Sequence, residues 1–294
     1  MVSDTTNFGN LPWREVFTDS QLQTLIEQGL ANNTDLQTAI LKVKEAQAAL
    51  MTSRLAYAPM LALSPQGTIS SFDKSAATKT YSLPVTASWE LDLFGNLLNA
   101  KRGSQVALLQ TKAYRQAVQT QIISGIANTY YTLLMLDKQL EISEQTADVM
   151  KRNVETMRAM KDAGMTNAAA VAQSEAAYAQ VIASLPAIRQ SIREAENALC
   201  MLLRQAPQAI KRSTLEEQQL PTQFSVGVPL QLLSNRPDVK AAEMNLASTY
   251  YNTNAARAAF YPQITISGSA GWTNSAGSVI VNPVSYTHLT LPTI

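Results

Sequence analysis

The sequence predicts a mainly helical protein with a smaller β portion, and three observations lead to this fold class. Residues 32–71 are repeated loosely at residues 235–274, at a constant offset of 203 (235 − 32). Residues 97–162 contain no proline and only two glycines, so they can form a single helix about 100 Å long. Two shorter segments alternate apolar and hydroxyl-bearing residues, with the period of two that is typical of strands.

Each copy of the repeat is predicted to be a helix that ends at a proline and continues directly into a strand. The offset is too long for a solenoid, whose repeats span roughly 20–50 residues, so it indicates two large, similar halves. Three pairs of identical residues illustrate the correspondence: Asp35 and Asp238, Arg54 and Arg257, Pro59 and Pro262. We divide the chain into an N-terminal segment (1–34), a first repeat with a helix, two strands and a long hairpin (35–204), a linker (205–234), a second repeat cut short after a helix and a strand (235–284), and a tail (285–294).

The tail does not continue the alternation of the preceding strand. We therefore expect it to be a foreign segment without packing contacts, beside a three-stranded sheet with an open edge. The first residues of the chain have no basic and apolar leader, so we expect no signal peptide. No run approaches the 18 apolar residues of a transmembrane helix.

The composition argues against several classes of protein. Charged residues make up 15% of the chain and the net charge is +1, so a nucleic-acid binder is not expected. The chain has one cysteine, Cys200, so an intrachain disulfide and a CxxC metal site are excluded. Its one histidine, His288, lies in the tail, so a Ser-His-Asp arrangement is not expected. A phosphate-binding G-x-x-x-x-G-K-[ST] loop is missing from the sequence. We expect no enzyme, no bound metal and no cofactor.

The long helix is predicted to return as a second one, which forms an antiparallel hairpin. Heptad positions of the returning helix are apolar, as in a coiled coil; they include Val171, Tyr178, Leu185, Ile192 and Leu199. This pattern fits both packing within one chain and packing that continues between subunits. The turn is predicted at Ala163, Gly164, Met165, Thr166 and Asn167, with Gly164 in the left-handed conformation and Thr166 or Asn167 as the next N-cap.

The strand segments have one apolar and one polar side. The apolar positions are Tyr81, Leu83, Val85, Ala87, Trp89, Ile264 and Ile266, and hydroxyls between them include Thr86, Ser88, Thr265 and Ser267. A transmembrane β-barrel alternates in this way, with aromatic girdles at both interfaces, and Tyr81 and Trp89 are spaced for the two girdles. A half-buried strand of a soluble sheet fits the alternation as well. Pro84 is compatible with an edge, a bulge or a subunit seam.

Several motifs, in order along the chain, resemble one family. They are LPWREVF at residues 11–17, WELDLFG at 89–95, NRPD at 235–238 and AAFYP at 258–262. Together with the repeat, they resemble the TolC-type outer-membrane efflux channels that work with resistance-nodulation-division pumps. The resemblance covers roughly residues 10–283.

The resemblance implies a homotrimer in the outer membrane of a Gram-negative cell. Each subunit would give four strands to one twelve-stranded transmembrane barrel and four helical columns to a periplasmic tunnel, with residues 1–34 and 205–234 as equatorial segments. The partners would be outer-membrane lipid, a periplasmic adaptor protein docked at the hairpin tip, and an inner-membrane efflux pump. Such a channel is a passive exit duct for drugs or other small toxic compounds. Members of this subgroup often carry a lipidated N-terminal cysteine.

On this interpretation, the apolar positions of the strands face lipid and the hydroxyl positions face the lumen. Two alternatives stay open. A type I secretion outlet shares the fold but exports polypeptides, although the LPW opening favours the pump-linked subgroup. A soluble periplasmic coiled-coil adaptor or structural protein would explain the hairpin but has no need of a second copy at offset 203. At the tip, a tight turn without a docking role is the alternative.

Overall fold

Six helices and five strands make up the part of the chain that the computed structural model describes, which is residues 12–71, 77–218, 236–275 and 282–290. The helices are α1 (Trp13–Val16), α2 (Ser20–Asn32), α3 (Thr34–Leu55), α4 (Asn96–Asp162), α5 (Ala168–Leu203) and α6 (Pro237–Ala258). The strands are β1 (Met60–Leu63), β2 (Gln66–Ser70), β3 (Thr78–Leu91), β4 (Ile264–Ser275) and β5 (Asn282–Thr290). They fall into two compact units. The helical unit is Met1–Ile40 with Arg115–Arg236, and the sheet unit is Leu41–Tyr114 with Pro237–Ile294.

The internal repeat reappears in the bounds of the helices. Adding 203 to the bounds of α3 (34 and 55) gives 237 and 258, which are the bounds of α6. Each of these helices is followed within a few residues by a strand. The helices begin differently, however. A buried asparagine caps α3, whereas α6 has Pro237 as its first residue, a position where the missing N–H costs no helical hydrogen bond.

Asn33 connects two elements of the helical unit. Its side-chain oxygen accepts hydrogen bonds from the N–H groups of Asp35 (2.8 Å) and Leu36 (3.2 Å), and its amide nitrogen donates to the carbonyl of Leu202 (3.0 Å). One side chain thereby satisfies free groups at the start of α3 and at the end of α5. Since Asn33 is buried, losing these bonds would leave polar groups without partners.

The core of the helical unit lies along the seam between α4 and α5 and is covered by α2. The heptad residues Val171, Leu185, Ile192 and Leu199 of α5 are buried and Tyr178 is half-buried, which confirms the predicted seam. Ile192 and Leu199 share a core with residues of α2 and α4, including Leu22, Ile26, Ile126, Tyr130 and Leu133. An apolar seam of this kind is the main source of stability for long helices.

The sheet unit is organised around β3. Strand β3 pairs with β1 and β2 on one side and with β4 on the other, and β4 pairs with β5; all pairs are antiparallel. The strand predicted after α3 is thus divided into two, with the break at residues 64 and 65.

Pro84 lies in the middle of this sheet rather than at an edge. Its carbonyl accepts a hydrogen bond from the N–H of Ser64 (3.2 Å), so the ring nitrogen faces the break between β1 and β2, where no donor is needed. On the other side Pro84 is opposite Gly271. A Cβ at Gly271 would lie 2.9 Å from the Cα of Pro84, so glycine permits the close approach of the two backbones.

The expectation of an unpacked tail in a three-stranded sheet is wrong. Residues 282–290 form β5 and pair with β4 from Thr273↔Asn282 to Thr265↔Thr290, so this strand crosses the boundary drawn at residue 284. The physical reason is the free edge of β4. Its unpaired N–H and C=O groups are a template for any neighbouring extended segment, and backbone pairing does not require an alternating side-chain pattern.

Candidate functional sites

The register of β3 and β4 sorts their side chains onto two chemically different faces. Residues directly opposite each other in an antiparallel pair lie on the same face. From Leu83 to Leu91, apolar residues are opposite apolar or small ones: Leu83↔Trp272, Val85↔Ala270, Ala87↔Gly268, Trp89↔Ile266 and Leu91↔Ile264. Polar residues are opposite polar ones: Thr86↔Ser269, Ser88↔Ser267 and Glu90↔Thr265. The structure therefore gathers each predicted set of residues on a single face.

The apolar face is exposed rather than packed against the rest of the described chain. Tyr81, Leu83, Val85, Trp89 and Ile266 are all exposed. An exposed contiguous apolar surface marks contact with another protein or with a membrane.

The apolar face has three residues beyond the lipid-facing set predicted from the sequence. Leu61 is opposite Ala87 and Leu63 is opposite Val85, and Trp272, which continues the predicted alternation of β4, is opposite Leu83; all three are exposed. The repeat contained the necessary signal, because Leu61 and Leu63 correspond at the offset of 203 to positions already assigned to the apolar face in β4.

The WELDLFG stretch forms the junction between β3 and α4. The indole N–H of Trp89 donates to the carbonyl of Tyr57 (3.0 Å), just after α3. The carboxylate of Asp92 accepts from the N–H groups of Leu97 (3.2 Å) and Leu98 (2.7 Å), which are free donors at the start of α4. Gly95 has a φ of +78°, a conformation that glycine adopts without strain. These contacts give the stretch a structural role.

The hairpin tip has the predicted backbone geometry. Gly164 lies in the left-handed region with a φ of +75°, and the N–H of Met165 donates to the carbonyl of Met160 (2.8 Å), as in a Schellman motif. Asn167, rather than Thr166, is the N-cap of α5, since its side chain accepts from the N–H of Ala170 (2.9 Å). The side chain of Met165 is 73% exposed and is the largest apolar group of the turn.

Asp19 is the centre of a hydrogen-bond cluster that sequence reasoning missed. Its carboxylate accepts from the Tyr130 hydroxyl (2.6 Å), the Gln218 amide (2.9 Å) and the Ser213 hydroxyl, and it caps α2 through the N–H of Gln21 (2.8 Å). Burial alone would raise the pKa of Asp19, but these hydrogen bonds lower it to about 2. Burial and the bond to Asp19 raise the pKa of Tyr130 to about 12.

A second cluster binds the segment after α5 to the hairpin. The guanidinium of Arg212 makes a two-pronged contact with Asp137 of α4, through Nη2 to Oδ1 at 2.8 Å and through Nε to Oδ2, and its Nη1 donates to Glu196 of α5 (2.6 Å). The hydrogen bonds to Asp137 raise the pKa of Arg212 in spite of burial, and those to Glu196 add to the effect. Apart from Gln21, the partners in both clusters lie between 16 and 199 residues apart in sequence, so no local pattern reveals them.

Replacing Asp19 with asparagine is expected to remove a pH-dependent part of the stability. The pKa of Asp19 in the folded protein, about 2, lies below its ordinary value of 3.8. The ionised carboxylate therefore stabilises the fold above about pH 4, and this contribution is lost as the pH falls from about 4 to about 2. The midpoint of thermal unfolding, followed by circular dichroism, should fall over this window in the wild type and less in Asp19→Asn. The control is Asp35→Asn, at an exposed carboxylate in the first turn of α3; parallel pH curves for wild type and Asp19→Asn would contradict the prediction.

The described residues contain neither a cluster of metal ligands nor a helix suited to cross a membrane. Within residues 12–71, 77–218, 236–275 and 282–290, no three His, Cys, Asp or Glu side chains are grouped as a metal site would require. In the same ranges, no helix combines the length and apolar character needed to cross a membrane. Cys200 is a free, buried thiol.

Comparison with known sequences identifies relatives over most of the chain. The family described as "Outer membrane efflux protein" matches residues 25–203 and 228–292. The cation efflux system protein CusC of Escherichia coli O6:H1 is 31% identical over 292 residues, which cover 97% of this chain and 63% of that protein. The pyoverdine export outer membrane protein OpmQ of Pseudomonas aeruginosa is 29% identical over 286 residues, which cover 92% of this chain and 60% of that protein.

Solved structures show the same fold. A crystal structure of CusC matches with a TM-score of 0.87 and 27% identity, over 97% of this chain and 68% of that one. The open-state MtrE outer membrane channel of Neisseria gonorrhoeae matches with a TM-score of 0.86 and 26% identity, over the whole of this chain and 68% of that one.

These matches confirm the predicted fold class, a long antiparallel helical hairpin of the tunnel type combined with strands of an outer-membrane channel. They also argue against a soluble coiled-coil adaptor or structural protein. The chain spans about 63% of the length of the CusC relative. With the family matching well over half of its residues, the chain belongs to the outer membrane efflux protein family.

Proposed function

We propose that the chain is a subunit of an outer-membrane channel that gives small toxic compounds a passive exit from a tripartite efflux system. The observation that carries this proposal is the two-faced sheet, with an exposed apolar face and an opposite face of hydroxyls. The names of the relatives favour small compounds over polypeptides. One is named for cation efflux, another for pyoverdine export and a third for toluene efflux.

The apolar face contacts the lipid of the outer membrane, and the hydroxyl face lines the lumen. Strands that cross a bilayer alternate lipid-facing and lumen-facing residues in this way. Trp89 supports this assignment, because an aromatic ring with a satisfied polar N–H suits a membrane interface. On the lumen side, hydroxyls offer a wettable surface without a strong preference for one solute.

Three copies of the chain form the channel. The strands in the described ranges number five, fewer than the eight of the smallest transmembrane barrels, so a shared barrel is needed. A stripe of three apolar residues on α4 supports association between copies. Met135, Ile142 and Val149 follow one another at intervals of seven residues, and all three are exposed. Heptad spacing is typical of a helix that packs against an apolar partner, and a second copy of the chain would supply that partner.

The hairpin tip docks onto a periplasmic adaptor protein, which connects the channel to an inner-membrane efflux pump. Exposed Met165 supplies an apolar contact, and Ala163 and Gly164 leave space for close approach. No atom lies within 4 Å of the position that a Cβ would take at Gly164, among the residues that the structure describes. The helical tunnel then lies in the periplasm, between the adaptor and the outer membrane.

Replacing Met165 with glutamate is expected to abolish efflux while the amount of membrane-inserted trimer stays unchanged. A carboxylate without a partner in the docking surface costs about 2 kcal/mol or more, which weakens docking by more than about tenfold. The measurement is drug resistance and dye efflux in cells that express the full-length protein, with trimer quantified in isolated outer membranes.

The matched control is Met201→Glu. Met201 is 76% exposed and lies near the C-terminal end of α5, about 50 Å along that helix from the tip, so this variant introduces the same charge at an exposed methionine outside the docking surface. The control should retain efflux. Normal resistance in Met165→Glu would argue for a tight turn without a docking role.

A further inference from the structure

A cleft of about 590 Å³ opens within the sheet unit, where the end of α3, the start of β1 and the end of β3 meet. The polar part of its lining consists of Thr52, Ser88, Glu90 and Thr265, and the apolar part includes Leu55, Met60 and Leu97. All of these residues belong to the sheet unit, and none was singled out from the sequence as a binding residue for a solute.

The polar part of the cleft contains a carboxylate without a protein partner. Glu90 is opposite Thr265 in the register and follows Ser88 on the same face of β3. No side chain or backbone group in the described part of the chain forms a hydrogen bond or an ion pair with the Glu90 carboxylate. The other charged residue of β3, Lys79, is separated from Glu90 by an odd number of positions along the strand, so it lies on the opposite face. Glu90 is therefore available to a ligand that brings its own cation.

The apolar part of the cleft is uncovered. Leu55 is 61% exposed and Met60 is 70% exposed, while Leu97 is half-buried at the start of α4. Apolar walls with a few convergent polar groups are the usual composition of a small-molecule site. Here the polar groups are three hydroxyls, which donate or accept hydrogen bonds, and one carboxylate, which accepts them and repels anions.

We propose that this cleft binds organic cations that carry an apolar body. The cationic head pairs with Glu90 and is oriented by the hydroxyls of Ser88 and Thr265, and the apolar body covers Leu55, Met60 and Leu97. A neutral ligand of the same shape would bury the carboxylate without a partner, and an anion would meet like charge. The inference rests on the proposed function in one respect, because the cleft meets a transported compound only if the hydroxyl face lines the passage. In that passage, the cleft favours lipophilic cations over anions of similar size.

The test is equilibrium binding of two fluorescent probes to the purified full-length channel in detergent, measured by fluorescence anisotropy. Rhodamine 6G is the cationic probe and fluorescein the anionic one. We expect rhodamine 6G to bind to the wild type and about tenfold more weakly to Glu90→Gln, because the charged partner of its head is lost. Fluorescein should bind weakly to both proteins. Glu45→Gln removes an exposed carboxylate from the same helix that ends at the cleft, about 15 Å from Leu55, and should bind rhodamine 6G like the wild type.

Equal affinity of wild type and Glu90→Gln for rhodamine 6G would overturn the inference, and so would equal affinity of the wild type for the two probes. Pore formation in planar bilayers, measured on the same preparations, separates this inference from the proposed function. A protein that conducts but shows no dependence on Glu90 contradicts the cleft alone. A protein that binds rhodamine 6G through Glu90 but never conducts supports the cleft and contradicts the channel.

Discussion

Replacing Arg212 with methionine is expected to lower the free energy of unfolding by about 3 kcal/mol, because it leaves two partly buried carboxylates without their partner. The side chains of Arg212 and Glu196 are only 16% and 15% exposed. Asp137 is more accessible, at 39%, so the expected value lies at the lower end of the range for broken buried pairs. The measurement is chemical or thermal unfolding of the purified protein in detergent, followed by circular dichroism.

Two control proteins separate the cluster from ordinary surface charge. Arg158→Met breaks an ion pair with Glu175 whose members are both exposed, and it should cost less than about 1 kcal/mol. The triple variant Arg212→Met, Asp137→Leu, Glu196→Met removes all three charges and should recover much of the lost stability, since an apolar substitute for a buried charge cluster is often close to neutral. Equal losses for Arg212→Met and Arg158→Met would show that the cluster is not a stabilising contact.

Replacing Val85 with arginine is expected to cost about 2–4 kcal/mol in the membrane, because this position faces lipid near the middle of β3 in the proposed channel. Val85 lies between Leu63 of β1 and Ala270 of β4, so the new charge would be surrounded by apolar neighbours on its own face. The yield of heat-stable trimer in outer membranes, measured on semi-native gels, should fall accordingly.

The matched control is the neighbouring residue on the other face. Thr86 is opposite Ser269, and arginine at this position would extend into an aqueous lumen. Thr86→Arg should therefore assemble like the wild type. If Val85→Arg and Thr86→Arg were tolerated equally, the assignment of the two faces to lipid and lumen would be wrong, whatever the register of the strands.

Patterns that repeat along the chain determined the elements and their faces from the sequence alone. The offset of 203 predicted two equivalent helix-to-strand junctions, and α3 and α6 have equivalent bounds. Heptad spacing predicted the buried seam at Leu185 and Ile192. Alternation predicted which strand residues share a face. These features depend on local geometry, 3.6 residues per helical turn and two per strand repeat, so one stretch of sequence contains all the necessary information.

Only the tertiary structure decided the contacts between distant segments. Asp19 gains its hydrogen bonds from Tyr130, Ser213 and Gln218, which lie between 111 and 199 residues away, and nothing near Asp19 in the sequence indicates them. The pairing of β5 with β4 is a second example, because a free strand edge accepts any extended backbone. The same holds for the cleft at Glu90, whose apolar walls come from helix and strand ends separated along the chain. Periodicity specifies which side of an element is apolar, but the folded chain specifies what lies opposite that side.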